Sequence, residues 1–330
     1  MATAVRNVCT VVAMGPPDPL AARLRRFGRR QHVSLTIAAS LAAAALLAVL
    51  LAGRRDEFLA AISGAAEGVL AVTVVLQIVA LVVRSEAWHL TIAAAGGTVE
   101  RRVLYRASSM QVLGSVLNGN LGVAARIAAL RRSAPSVCPQ VPTLIAAEFP
   151  ILAVEAALAV LASFTLVVPL GLPWWAPLIG LPVIAGGSAG LRHLALRKGR
   201  DLWRGLAVLR SARGGSRVVV LVLAAVVAQV LRNWLLLHAV GVDASLFDAI
   251  AVLIAVVTLG QLPVGPSVGA AAAVLILGGD GVAAAAAAGV MMTVTGTVGG
   301  LCFAAWAGAD HFWSASRVSR PQRAQPRRAG

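Results

Sequence analysis

Residues 218–240 read VVVLVLAAVVAQVLRNWLLLHAV, an apolar run long enough to cross a ~30 Å hydrocarbon core as a helix, yet it carries Arg232 and Asn233 well inside, with Gln229 about one turn earlier. Two conclusions follow. The solvent for this part of the chain is lipid. Because an ionisable group at membrane depth costs roughly 2.5–3.5 kcal/mol on insertion, Arg232 faces a partner or a cavity and not acyl chains.

Working outward, apolar stretches recur at 33–52, 65–83, 141–168, 173–191, 246–262, 266–277 and 281–307. With 218–240 they give eight candidate crossings, so the expected fold is an all-α, polytopic integral membrane bundle with one or two re-entrant or broken segments. The whole chain agrees: 59% of residues are hydrophobic and 13% charged, and the mean hydropathy is +0.84, beyond what a soluble surface tolerates. Three domains are expected: a basic segment over 1–32, a transmembrane domain over 33–312, and a basic tail over 313–330.

The formal charge of +16 is almost all arginine, Lys198 being the single lysine. These arginines lie in short loops between apolar spans, which is the positive-inside pattern and excludes nucleic acid as the expected partner. Segment 107–130, with Ser108, Ser109, Gln111, Asn118, Asn120 and Arg126, is too polar for a lipid-facing span. If it enters and returns, nearly every arginine falls on one side; counted as a crossing, it would put the 192–217 cluster outside. A re-entrant segment is therefore expected, with both termini in the cytoplasm of a bacterial inner or plasma membrane. Anionic lipid headgroups at that face are the partners of the basic segments. No internal repeat stands out.

No HExxH, GxSxG or phosphate-cradling loop occurs, and five histidines are scattered, so no enzymatic activity, cofactor or metal is expected. Cys9, Cys138 and Cys302 are odd in number and far apart, which indicates neither a disulfide framework nor a metal set. Glu148 and Glu155, seven apart, share one helix face. One or other is expected to pair with Arg232 or Arg126, either as a packing ion pair or on a substrate pathway. Gln77, Thr293, Thr295 and Thr297 are expected to bond neighbouring helices. Trp174 and Trp175 look like interfacial anchors.

Two breaks complete the candidate site. Asn118-Gly-Asn120-Leu-Gly122 leads to Arg126, and Pro263-Val-Gly265-Pro266-Ser267-Val-Gly269 interrupts a late apolar region. Proline and glycine at membrane depth free backbone groups that can build a polar site, one break per half of the chain.

At these residues the chain resembles the transmembrane region of the lysylphosphatidylglycerol synthases, the flippase half of the multiple peptide resistance factor and its stand-alone relatives. The landmarks are Arg84 and Trp88, the Asn118 to Arg126 stretch, Glu148, and Pro263 to Gly269. The resemblance implies handling or translocation of a phospholipid or polyprenyl-phosphate-linked lipid, without lysyl transfer. It departs at Ala270–Ala273, where the family carries an acidic residue, and at Met291-Met292-Thr293, where an arginine is common. The other class of function open at this point is a non-catalytic partner for a separate membrane-associated transferase.

Overall fold

The computed structural model describes residues 41–42, 45, 48–49, 51–115, 119–135, 138–180, 182, 186–187, 190, 204–260 and 268–318. Among them all regular structure is helical: α1 (Arg55–Ser63), α2 (Glu67–Ala94), α3 (Arg101–Ser115), α4 (Gly119–Ser133), α5 (Val141–Ala162), α6 (Ala212–Ala239), α7 (Leu246–Leu259), α8 (Val268–Leu277) and α9 (Val282–Val318), with short 3-10 turns between. Four helices are long and apolar enough to cross a membrane, over 67–94, 141–166, 212–239 and 282–309. Their outward faces carry Val72, Val75 and Val79 on α2, Val220, Val227 and Leu231 on α6, and Val294, Val298 and Leu301 on α9, all exposed. So large an apolar girdle is the surface of a membrane protein, since a soluble one would hide it.

The other helices are too short to cross. At 1.5 Å per residue α3 and α4 are each ~22 Å long, α7 ~21 Å and α8 ~15 Å. Four of the eight expected crossings are therefore matched by helices of crossing length; the described helices within 246–262 and 266–277 are the shorter α7 and α8, and 107–130 holds parts of α3 and α4. The expected span at 33–52 lies largely outside the described residues, and the described part of 173–191 holds the short 3-10 turn Ala176–Ile179.

Two apolar clusters locate the ends of the bundle. One joins the end of α2 (Ala87, Trp88, Ile92), the start of α3 (Leu104), the end of α4 (Ile127, Leu130), the start of α5 (Leu144, Ile151) and the start of α6 (Val218, Val222). The other joins α1, the start of α2 (Leu70), the end of α6 (Leu236, Leu237), α7, the end of α8 (Ile276, Leu277) and the start of α9 (Ala285–Met292). Helices α2 and α6 therefore each run from one cluster to the other, and α5 leads from the first to Leu166 and Leu170, which pack against the second. By contrast α3 and α4 form a hairpin anchored at the first end, and α7 and α8 a hairpin anchored at the second. Charge separates the ends as well: Arg101, Arg102, Arg131, Arg132, Arg213 and Arg217 flank the first, whereas Asp56, Glu57, Glu67, Asp243 and Asp248 flank the second.

The architecture is an inverted repeat, span–hairpin–span followed by span–hairpin–span of opposite sense, which was not visible in residue identities. A shift of 145 residues carries α2 (Glu67–Ala94) onto α6 (Ala212–Ala239) and Arg101, the start of α3, onto Leu246, the start of α7. The same shift carries one helix cap onto another. Gly96, at φ +89°, and Gly241, at φ +81°, both adopt the left-handed conformation that glycine tolerates. In each case the glycine N–H donates to the carbonyl three residues back (Ala93 or His238, both 3.0 Å), and the next N–H donates five back (Ile92 or Leu237, both 3.0 Å).

Glycines allow the closest helix approaches. A methyl group on Gly269 would lie 2.6 Å from the Gly289 carbonyl oxygen, which seats α8 against α9 backbone to backbone. On Gly122 it would lie 2.7 Å from the Gln111 carbonyl, closing the α3–α4 hairpin.

Candidate functional site

The site grows from three helix faces near the arginine-rich end. On α2, Arg84 and Trp88 are four apart and share a face; on α5, Glu148 and Glu155 are seven apart and do the same. Between them α4 presents Arg126 at its midpoint. Arg126 is 2% exposed and forms an ion pair with Glu148, itself 6% exposed. The guanidinium carbon also lies 3.8 Å from the centre of the Trp88 ring, a stacked cation–π contact. One turn along, Arg84 grips Glu155 through both of its terminal nitrogens, one bond measuring 3.1 Å.

Two cations and two carboxylates thus neutralise one another in a space closed by the Trp88 indole. Their hydrogen bonding is nevertheless incomplete: Arg126 Nε and Trp88 Nε1 are buried donors without an acceptor. Such groups in a desolvated site are costly, and an oxygen-rich group entering beside them would relieve that cost.

Arg232 is elsewhere. It donates to Gln77 Oε1 on α2 and, at 3.3 Å, to Asn233 Oδ1. Among the described residues no carboxylate lies within ion-pair reach of it. The expectation that Glu148 or Glu155 would pair with Arg126 or Arg232 therefore resolves into Glu148 with Arg126, and Glu155 with Arg84. The pairing of Arg232 with a glutamate does not occur because α6 turns that residue toward the outer part of α2. Asn233 is 1% exposed beside it.

Asn118, Pro263, Pro266 and Ser267 lie outside the described residues, and Asn120 is placed in the first turn of α4 by backbone alone. Thr295 and Thr297 bond the carbonyls four residues back in their own helix (2.7 and 2.8 Å), and Thr293 bonds Gly289 (3.0 Å). Gln77 does reach across to a neighbouring helix, at Arg232. Sequence reasoning read Arg84 and Trp88 as landmarks of the resemblance and did not place them among the site residues. The further signal for them was their four-residue spacing, which puts both on one face of α2.

A smaller polar group sits at the same end. Tyr105 on α3 donates to Glu86, which also lies 3.6 Å from Arg101 Nε and 4.0 Å from His89 Nδ1. Burial, with the Glu86 contact second, pushes the phenol up to about 12. Its ring packs against Phe303 and Trp306, with centroids 6.2 and 5.6 Å away. Among the described residues no group of three His, Cys, Asp or Glu side chains could hold a metal. Compared with protein-family models, curated proteins and solved structures, the chain matches none.

Proposed function

We propose that this chain is a non-enzymatic, transporter-like membrane protein of the type represented by the flippase half of lysylphosphatidylglycerol synthases, handling or translocating a phospholipid or polyprenyl-phosphate-linked lipid. The observation that carries this reading is the convergence of Arg84, Trp88, Arg126 and Glu148. These residues come from three separate helices, each is a landmark of the resemblance, and they meet in one largely buried cluster. A phosphate oxygen competes with a carboxylate for a guanidinium on equal chemical terms, so a headgroup can displace Glu148 from Arg126 and find the unused Arg126 Nε and Trp88 Nε1 donors beside it. Glu148 balances Arg126 when the site is empty. The inverted repeat adds a second support, since half-crossing hairpins from opposite faces are where transporters build substrate sites. With the arginine-rich end taken as cytoplasmic, this cluster is the inward-facing one.

The test is fluorescent-lipid movement in proteoliposomes holding the purified chain alone, across phosphatidylglycerol, an aminoacylated lipid and a polyprenyl phosphate. Movement that disappears in Glu148→Ala is the expected result. A folded protein that moves none of the three sinks the reading and leaves the partner-subunit role in its place.

A further inference from the structure

Arg232 carries a charge that its surroundings do not cancel. It lies seven residues, ~10 Å, from the arginine-poor end of α6. Gln77, its partner on α2, is ten residues, ~15 Å, in from the same end. Arg84, in the neutral cluster, is ten residues from the opposite end of α2. The two arginine sites thus fall in opposite halves of the bundle.

Chemistry distinguishes them further. The Arg126 cluster contains its own carboxylates, while among the described residues Arg232 has only the amide oxygens of Gln77 and Asn233 as acceptors. An amide whose oxygen is committed presents its NH2 group as its remaining function. What this site can still offer is mainly donors: Arg232 Nε, which is buried and has no acceptor, and the NH2 group of each amide. Helix α9 packs here through glycines. It approaches at Gly296, where a methyl would lie 3.3 Å from Arg232 Nη1, and at Gly299, where a methyl would lie 2.8 Å from Gln77 Cγ.

We propose that Arg232, Gln77 and Asn233 form a second, separate binding site, specific for a phosphate-type oxyanion, in the half of the bundle opposite the Arg126 cluster. A donor-rich site around an uncompensated guanidinium selects an anion, and a tetrahedral oxyanion supplies several acceptors to donors set at different angles. A neutral or cationic ligand would leave the charge standing. A phosphate carried on a lipid and a free one present the same oxygens. The assignment stands on the Arg232 geometry and not on translocation, so the failure of one leaves the other intact.

The experiment titrates the purified full chain, in uncharged detergent, with dioctanoyl phosphatidic acid, inorganic phosphate and, as the phosphate-free control, dioctanoylglycerol, reading the melting midpoint by tryptophan fluorescence. A saturable rise with phosphatidic acid and none with dioctanoylglycerol is expected; inorganic phosphate producing the same rise identifies a free anion as ligand, and its failure identifies a lipid. Gln77→Glu sets a carboxylate against Arg232 without removing the side chain. It is expected to weaken the phosphate affinity roughly tenfold or more while leaving the ligand-free midpoint unchanged or higher. In an Arg126→Met/Glu148→Met background, which removes the other cluster as a pair, Gln77→Glu should cause the same loss of phosphate affinity as it does in the parent. Unchanged affinity in folded Gln77→Glu, or no saturable rise with either phosphate, overturns the proposal, as does an affinity lost in the double variant and kept in Gln77→Glu.

Discussion

The Arg126–Glu148 pair sits where a single charge would be intolerable, and that fixes what its removal should do. Glu148→Gln leaves a buried guanidinium without its counterion, and a loss of about 3–5 kcal/mol in unfolding free energy is expected in a denaturant titration. Replacing both members, Arg126→Met with Glu148→Met, should recover most of that loss, because two desolvated charges are exchanged for apolar groups of similar length. If the pair exists for lipid handling, the stable double variant moves no lipid; a double variant that moves lipid normally would reduce the pair to a packing device. Tyr105 permits a cleaner measurement, since it is the only tyrosine in the chain. Its absorbance at alkaline pH should titrate near 12, against ~10 for a free phenol. The sign follows from the raised value. The stabilisation from the neutral phenol is fully present below pH ~10 and is lost as pH climbs through about 12. In Glu86→Gln the midpoint should fall toward the ordinary value. Residue types at membrane depth were legible in the chain, and Arg126, Glu148, Glu155 and Arg232 all stand out by cost alone. Their partners were not, because pairing depends on which way each helix is rotated, and Arg232 turns to Gln77 and not to a glutamate.

At the scale of the element, helix length was the quantity that sequence patterning handled least well. An apolar run such as 246–262 has the composition of a span, and nothing in its residues announces that α7 stops at Leu259. What stops the half-helices is local: a capping box at Ser245 and Asp248 fixes where α7 starts, and a proline–glycine run follows its end. The polar character of 107–130 was, by contrast, a sufficient reason to keep it from crossing, since Ser108 and Ser109 are buried in protein and not in lipid. Helix α9 shows how glycine serves these packings. Gly289 meets α8, Gly296 and Gly299 meet Arg232 and Gln77, and Gly300 meets Val112 of α3. A side chain at Gly289 has no space to relax into, because its neighbour is the backbone of Gly269 and Ala270. Gly289→Val is expected to cost about 1–3 kcal/mol, read as a lower melting midpoint in detergent, whereas Gly279→Ala, with no atom near its absent methyl, should melt as the parent does.

Over the whole molecule, the inverted repeat is the feature that residue identities hid most completely. Its halves share caps and boundaries but few side chains: shifted by 145 residues, Arg126 falls on Ala271 and Glu148 on Thr293. The charged cluster is therefore built once, in the first half, and the corresponding part of the second half is alanine and glycine packing. The two-ended layout is directly testable in a cysteine-free background. Single cysteines introduced as Ala134→Cys and Asp243→Cys should react with a membrane-impermeant maleimide from opposite faces of the membrane. Labelling of both from the same face would reject the arrangement. A hairpin that returns to the face it came from also changes what insertion must decide. It adds an even number of half-traverses, so neither α3–α4 nor α7–α8 alters which way any later span points; the chain can lengthen, shorten or remodel either hairpin during its history without ever turning the rest of the protein upside down.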